Sequence, residues 1–170
     1  MNENIYCKLT EAVKKSRFGG TLVRLLDKLI TIITGISYLV LLCYIYKYSR
    51  NLLYAEILVP GVSFVLVTIA RDLLGARRPY EVYGFEPVIK KETVAHSFPS
   101  RHVFSIFMIA MAFMQVSPIL GRNFLIFGLV LACIRVMGGV HFIKDVVAGA
   151  LLGVLMGRLG FYLIFDLGKM

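Results

Sequence analysis

The stretch Ser97-Phe98-Pro99-Ser100-Arg101-His102-Val103-Phe104-Ser105-Ile106-Phe107-Met108-Ile109-Ala110-Met111-Ala112-Phe113-Met114-Gln115-Val116 joins a polar hexapeptide to an apolar run. Ser100 is placed to cap a helix that starts at Arg101 and continues to Val116, and the cation and imidazole at its head suit an anion held at a helix N-terminus. The same kind of run recurs along the chain. Two precede it, at about 29–46 and 52–70, and two follow it, at about 120–137 and 146–165. Each approaches the roughly 20 residues needed to cross a bilayer.

Composition agrees with this reading. Of 170 residues 58% are hydrophobic and only 17% charged, against about 25% charged in an average soluble domain. The expected fold is all-α, a polytopic membrane helix bundle of about five transmembrane helices, with residues 29–170 forming one membrane-embedded domain. Turns are expected at 47–51, at Ser117-Pro118 and at Gly138-Gly139, and Pro60-Gly61 predicts a kink inside the second span. Residues 1–28 interleave Lys8, Lys14, Lys15, Arg17, Arg24 and Lys28 with aliphatic side chains and are divided by Gly19-Gly20. They read as an N-terminal amphipathic, basic helix lying in the membrane interface. They lack a signal peptide's order of features, so the first span is expected to be retained.

The net charge of +9 does not point to nucleic acid, because the cations lie in the N-terminal segment and between apolar runs. Anionic membrane lipid or a phosphorylated substrate is the expected partner. Cys7, Cys43 and Cys133 have no metal-ligand spacing.

Five spans place the polar connection of 71–100 and the interval of 135–145 on one side of the membrane. Arg71 and Arg78 are seven apart, two turns on one helix face, and Pro79 follows them. A single arginine at a helix end commonly snorkels to headgroups; two facing one way suit a phosphate. His141 and Asp145 are four apart, so the carboxylate can hold one imidazole nitrogen and leave the other as a nucleophile or general base. Arg135 precedes them by six.

Arg71-x6-Arg78-Pro79, Pro99-Ser100-Arg101-His102 and Arg135-x5-His141-x3-Asp145, in this order, resemble the three-part signature of the type 2 phosphatidic acid phosphatase superfamily. The motifs lie across 71–145, and the similarity of layout covers the chain from about residue 29 to its end. The resemblance implies that His141 is the nucleophile that takes the phosphoryl group, oriented by Asp145. It implies that His102 is the general acid and then the base that activates water. Arg71, Arg78, Ser100, Arg101 and Arg135 would bind phosphate, with no metal and no cofactor. The chain departs from the pattern in having Arg71 where lysine is usual, Arg101 where glycine is usual, and Ile134 where serine is usual. It also has five spans where membrane members commonly have six, the N-terminal segment standing in for the missing one.

The expected activity is hydrolysis of a lipid phosphate or diphosphate, with polyprenyl diphosphate, phosphatidylglycerol phosphate and phosphatidic acid as the candidate substrates. A noncatalytic lipid-phosphate binder or transporter is the alternative, and vanadate-dependent halide oxidation is a third reading. The expected location is a bacterial-type plasma membrane. The family habit places the site on the extracytoplasmic side, whereas the positive-inside rule applied literally places it toward the cytoplasm.

Gly149, Gly153 and Gly157 form a flat stripe on the last span that admits another helix, within the monomer or in a homodimer. His96 reads as a loop histidine. Tyr80, Tyr83 and Phe85 read as interfacial anchors, and Arg158 as a side chain snorkelling to the opposite surface.

Overall fold

The computed structural model describes residues 3–90 and 95–167; Lys91 and Glu92 of the polar connection, and residues 1, 2 and 168–170, lie outside the described residues. Among the described residues every regular element is a helix: α1 (Glu3–Lys15), α2 (Gly19–Tyr48), α3 (Arg50–Leu74), α4 (Pro79–Tyr83), α5 (Arg101–Val116), α6 (Pro118–Met137) and α7 (Ile143–Leu167). Four of these, α2, α3, α6 and α7, include stretches long and apolar enough to cross a membrane. The fifth expected span, α5, is shorter. At 1.5 Å per residue its sixteen residues reach about 24 Å.

Its shortness goes with its place. Residues from Val103 to Phe113 bury their side chains almost without interruption, and α5 packs against α2, α3, α6 and α7. It is the axis of the bundle, and the longer helices present Val40, Leu58, Val65 and Leu159 outward, as lipid-facing surfaces require. Glycines set the close approach. A Cβ on Gly149 would lie 2.6 Å from the Ser100 carbonyl oxygen, and one on Gly153 2.8 Å from that of Phe104. The stripe on α7 is therefore covered by α5 of the same chain, and the homodimer considered from sequence has no free stripe to use.

The turn between the first two spans is tighter than expected, since only Ser49 separates α2 from α3. Helix α3 continues through Pro60, a position where neighbouring helices commonly accommodate the lost donor. At the N-terminus, Gly19-Gly20 opens α2, and the boundary expected at 28/29 falls inside that continuous helix. Nor does α1 lie apart from the bundle. Tyr6, Thr10 and Val13 are buried, and Lys14 pairs with Glu86 of the polar connection at 3.2 Å.

The three aromatic residues of the connection turn inward too. Tyr83 packs against Tyr6 and Phe142, and Phe85 lies under Gly139, where a Cβ would meet its ring at 2.7 Å. Tyr80 packs on the small apolar cluster of Val13, Val23, Val88, Ile89, Ile134 and Val140. Half-buried, all three lend apolar area to closing the polar end of the bundle. Arg158 is exposed on α7, as snorkelling requires.

Candidate active site

Every candidate site residue lies at one end of the bundle, each brought there by a local feature of the chain. Arg71 sits in the last turn of α3, which Gly75 ends in a left-handed conformation at φ 50°. Arg78 precedes Pro79 in extended backbone and caps α4, with Glu81 accepting from its amide at 2.9 Å. The other oxygen of Glu81 accepts from Ala95 N at 2.8 Å, which ties the two ends of the polar connection together. Arg135 lies in the last turn of α6, and a turn through Gly138 and Gly139 carries the chain to His141. Asp145 opens α7.

Arg71, Arg78, Ser100, Arg135, His141 and Asp145 are all buried, none more than 8% exposed. Backbone carbonyls hold two of the guanidinium groups. Arg71 Nη1 donates to Pro99 O at 3.1 Å; Arg78 donates through Nε to Ala95 O at 3.2 Å and through Nη1 to Val140 O at 3.3 Å. Arg135 is held by a carboxylate that sequence reading did not single out, with its Nε 2.7 Å from Asp27 Oδ1 on α2. The signal existed: Asp27 is the lone acid between Glu11 and Glu56, at the head of an apolar run.

A second residue acquires a role only in three dimensions. Ser97, fully buried, donates from Oγ to Asp145 Oδ2 and lies 3.4 Å from His141 Nδ1. Asp145 Oδ2 also accepts from Phe142 N at 2.9 Å, whereas its distance to His141 Nδ1 is 3.6 Å, long for a hydrogen bond. Carboxylate and imidazole thus meet through the serine hydroxyl as well as across the i,i+4 gap. Turning Nδ1 toward these two groups leaves Nε2 for chemistry.

Burial sets the charge state of His141. Desolvation is the largest influence on His141; with the opposing attraction of the Asp145 carboxylate and the repulsion of Arg135 and Arg78 it brings the pKa from 6.5 to about 4. The imidazole is neutral at physiological pH, with its lone pair available.

Two donors stand without protein acceptors in this buried cluster. Ser100 Oγ and Arg135 Nη1 are both inaccessible and form no hydrogen bond. Buried donors left this way cost free energy unless an acceptor arrives. An anion with several oxygens satisfies them, and the start of α5 adds its exposed backbone donors.

Arg101 and His102 are placed differently from the rest. Both are half-buried and line a cavity of about 280 Å³ that opens between α2 and α3, with Thr31, Thr34 and Phe64 on its walls. Arg101 therefore stands outside the buried cluster that contains Arg71, Arg78 and Arg135. His96 stays apart from both. It adopts φ 57° and sits 3.3 Å from Asp72 Oδ1, fastening the connection to the end of α3. Among the described residues no group of three or more His, Cys, Asp or Glu is placed to hold a metal ion.

A family model described as the PAP2 superfamily matches residues 48–169. The Bacitracin transport permease protein BcrC of Bacillus licheniformis is 30% identical over 105 residues, covering 59% of this chain and 52% of that protein. The match thus spans about half the length of this curated relative. The crystal structure of LpxE from Aquifex aeolicus superposes with a TM-score of 0.71 at 20% identity, over 91% of this chain and 93% of that one. A transmembrane PAP2 type phosphatidylglycerolphosphate phosphatase from Bacillus subtilis superposes with a TM-score of 0.64 at 20% identity, over 98% and 94%. At this identity the two structures establish the shared helical fold.

Proposed function

The chain belongs to the PAP2 superfamily, and from that premise we propose that it is an integral membrane phosphatase hydrolysing a lipid phosphate or diphosphate through a phosphohistidine. Polyprenyl diphosphate, phosphatidylglycerol phosphate and phosphatidic acid are the candidate substrates. One observation carries this reading: His141 presents Nδ1 to Asp145 and Ser97 beside buried donors of Ser100 and Arg135 that have no protein acceptor.

In the proposed mechanism the phosphoryl oxygens take the free donors of Ser100 and Arg135 and the guanidinium groups of Arg71 and Arg78. Nε2 of His141 attacks phosphorus. The bond to the bridging oxygen breaks, its electron pair stays on that oxygen, and protonated His102 supplies the proton. Water then attacks the phosphohistidine, His102 accepts its proton, and the P–N electrons return to His141. Fixed cations meet the charge that gathers on the equatorial oxygens, and this is the support for expecting turnover without added metal. Asp145 and Ser97 hold the imidazole in one tautomer and stabilise it as positive charge develops.

Phosphate release from a panel of lipid monophosphates and diphosphates, measured on detergent-purified protein in EDTA, tests the reading. Wild type is expected to release phosphate from at least one of them, with inhibition by vanadate and complete loss in His141→Ala. The second reading is a noncatalytic lipid-phosphate binder or transporter; the B. licheniformis relative is named for transport, of bacitracin. That reading expects His141→Ala and His102→Ala to bind and move lipid as wild type does.

We place the site on the extracytoplasmic face of a bacterial-type plasma membrane. Val82, half-exposed on α4 at the site end, reports the side. Val82→Cys is expected to react with a membrane-impermeant maleimide in intact cells, and protection there together with labelling in lysed cells reverses the assignment.

A further inference from the structure

We infer that Arg101 makes this site selective for lipid diphosphates over lipid monophosphates, by binding the phosphate that departs with the lipid. The inference rests on the proposed phosphatase activity and concerns which bond that activity breaks.

Three observations carry it. The first is the direction of the leaving group. Nucleophilic His141 is enclosed at the polar end, whereas His102, the proposed proton donor to the leaving oxygen, lines a cavity walled by Thr34, Phe64, Ile106 and Leu131. A second cavity, of about 300 Å³, shares Phe64, Ser105 and Ile109 with the first and reaches Tyr38, Pro60 and Met108. Together they form a mostly apolar groove along α5 between α2 and α3, with Arg101 and His102 at its head in the first turn of α5. A single lipid tail fits that chemistry, so the lipid side of the scissile bond lies against His102 and Arg101.

The second observation is the placement of the Arg101 cation. Its guanidinium carbon lies 5.6 Å from the centroid of the Phe64 ring, so the aromatic face holds the charge at the head of the groove. It forms no ion pair among the described residues, and it lies within electrostatic reach of Arg71. The third is independent of Arg101: Ser100 Oγ, fully buried and without an acceptor, marks the adjacent turn as a place where an anion is received.

A terminal phosphoryl group already meets Arg71, Arg78 and Arg135. Arg101 stands beyond them, on the lipid side of the proton donor. If the leaving group is an alcohol, it departs neutral once His102 has protonated it, and a guanidinium there has no charge to meet. If the leaving group is a lipid monophosphate, it carries its own negative charge as the bridging P–O bond breaks. Arg101 then forms charge-assisted hydrogen bonds to that phosphate. The reaction balances as lipid diphosphate and water giving lipid monophosphate and inorganic phosphate, with the bridging oxygen leaving on the lipid side.

The test compares a prenyl diphosphate with the prenyl monophosphate of the same tail, using kcat/KM for phosphate release by wild type, Arg101→Gln, Arg101→Lys and His141→Ala. Wild type is expected to favour the diphosphate by about tenfold or more. Arg101→Gln is expected to lower kcat/KM on the diphosphate about tenfold further than on the monophosphate, and Arg101→Lys to recover part of that difference. Equal losses on both substrates, an unchanged ratio, or a wild type that favours the monophosphate overturns the inference while leaving the phosphatase reading standing. No release by wild type from either substrate overturns the inference alone, since the phosphatase reading is tested on the wider lipid panel; release that survives His141→Ala overturns both. An Arg101→Gln protein that does not fold transfers the comparison to Arg101→Lys, for which an unchanged ratio is the overturning result.

Discussion

Replacing Ser97 by alanine removes one oxygen atom and tests how the carboxylate reaches the imidazole. Ser97 is fully buried, so no water replaces the lost hydroxyl without rearrangement. Asp145 Oδ2 keeps its bond from Phe142 N at 2.9 Å but loses the one from Ser97, and His141 Nδ1 keeps only a carboxylate 3.6 Å away. A hydrogen bond to a charged group is worth about 1.5–3 kcal/mol. If most of that is realised in the transition state, where the imidazole becomes positive, kcat/KM falls about tenfold to a hundredfold. The fall is expected in kcat, because Ser97 binds no phosphate. Phosphate-release kinetics on purified wild type and Ser97→Ala give the number, with thermal unfolding in detergent as the check on folding. A folded Ser97→Ala that retains kcat within twofold of wild type refutes the reasoning, since the direct gap between Asp145 and His141 would then suffice.

Other perturbations have equally definite outcomes. Asp27→Asn leaves Arg135, 1% exposed, without its counter-charge; breaking a buried pair costs about 3 kcal/mol, so a lowered unfolding temperature and at least tenfold weaker kcat/KM are expected. Because His141 protonates only near pH 4 when folded and near 6.5 when unfolded, the unfolded chain holds the extra proton between those values. Stability is therefore expected to fall as pH drops from 6.5 toward 4, by about 3 kcal/mol in all, and His141→Gln is expected to flatten that slope. From the same shift the acid limb of kcat/KM is expected near pH 4 if His141 attacks, well below that of an ordinary imidazole, and a pH–rate profile measures it. Glu56 on α3 is fully buried with neither carboxylate oxygen hydrogen-bonded. Glu56→Gln is expected to unfold at the same or a higher temperature and to retain phosphate release, because no catalytic group touches it.

The helices and the shared side of the site were legible because both are written in long-range regularities. Apolar runs near membrane length specify spans, and their number places two polar intervals at one end. The three motifs could be placed at that end, since each adjoins a span terminus. What remained hidden depends on contacts between distant segments. Asp27 reaches Arg135 across more than a hundred residues; its standing as a lone acid at the head of an apolar run marks Asp27, but nothing local identifies its partner. Ser97 was read as part of the hexapeptide without a partner, because its partner Asp145 comes from α7. The aromatic residues of the polar connection were read outward, as membrane anchors. They turn inward because α1 folds over the connection and offers Tyr6 as a buried surface. The glycine stripe left two partners open, and α5, the most enclosed helix, takes the place that a second chain would need.

The central claim, that His141 carries the phosphoryl group, is tested most directly by trapping it. Purified protein is mixed with a hydrolysable lipid diphosphate, quenched in alkali to preserve a P–N bond, digested, and analysed by mass spectrometry. The expected result is phosphate on the peptide containing His141, absent in His141→Ala, which releases no inorganic phosphate. Turnover by His141→Ala at the wild-type rate, or phosphate found on another side chain, contradicts the account.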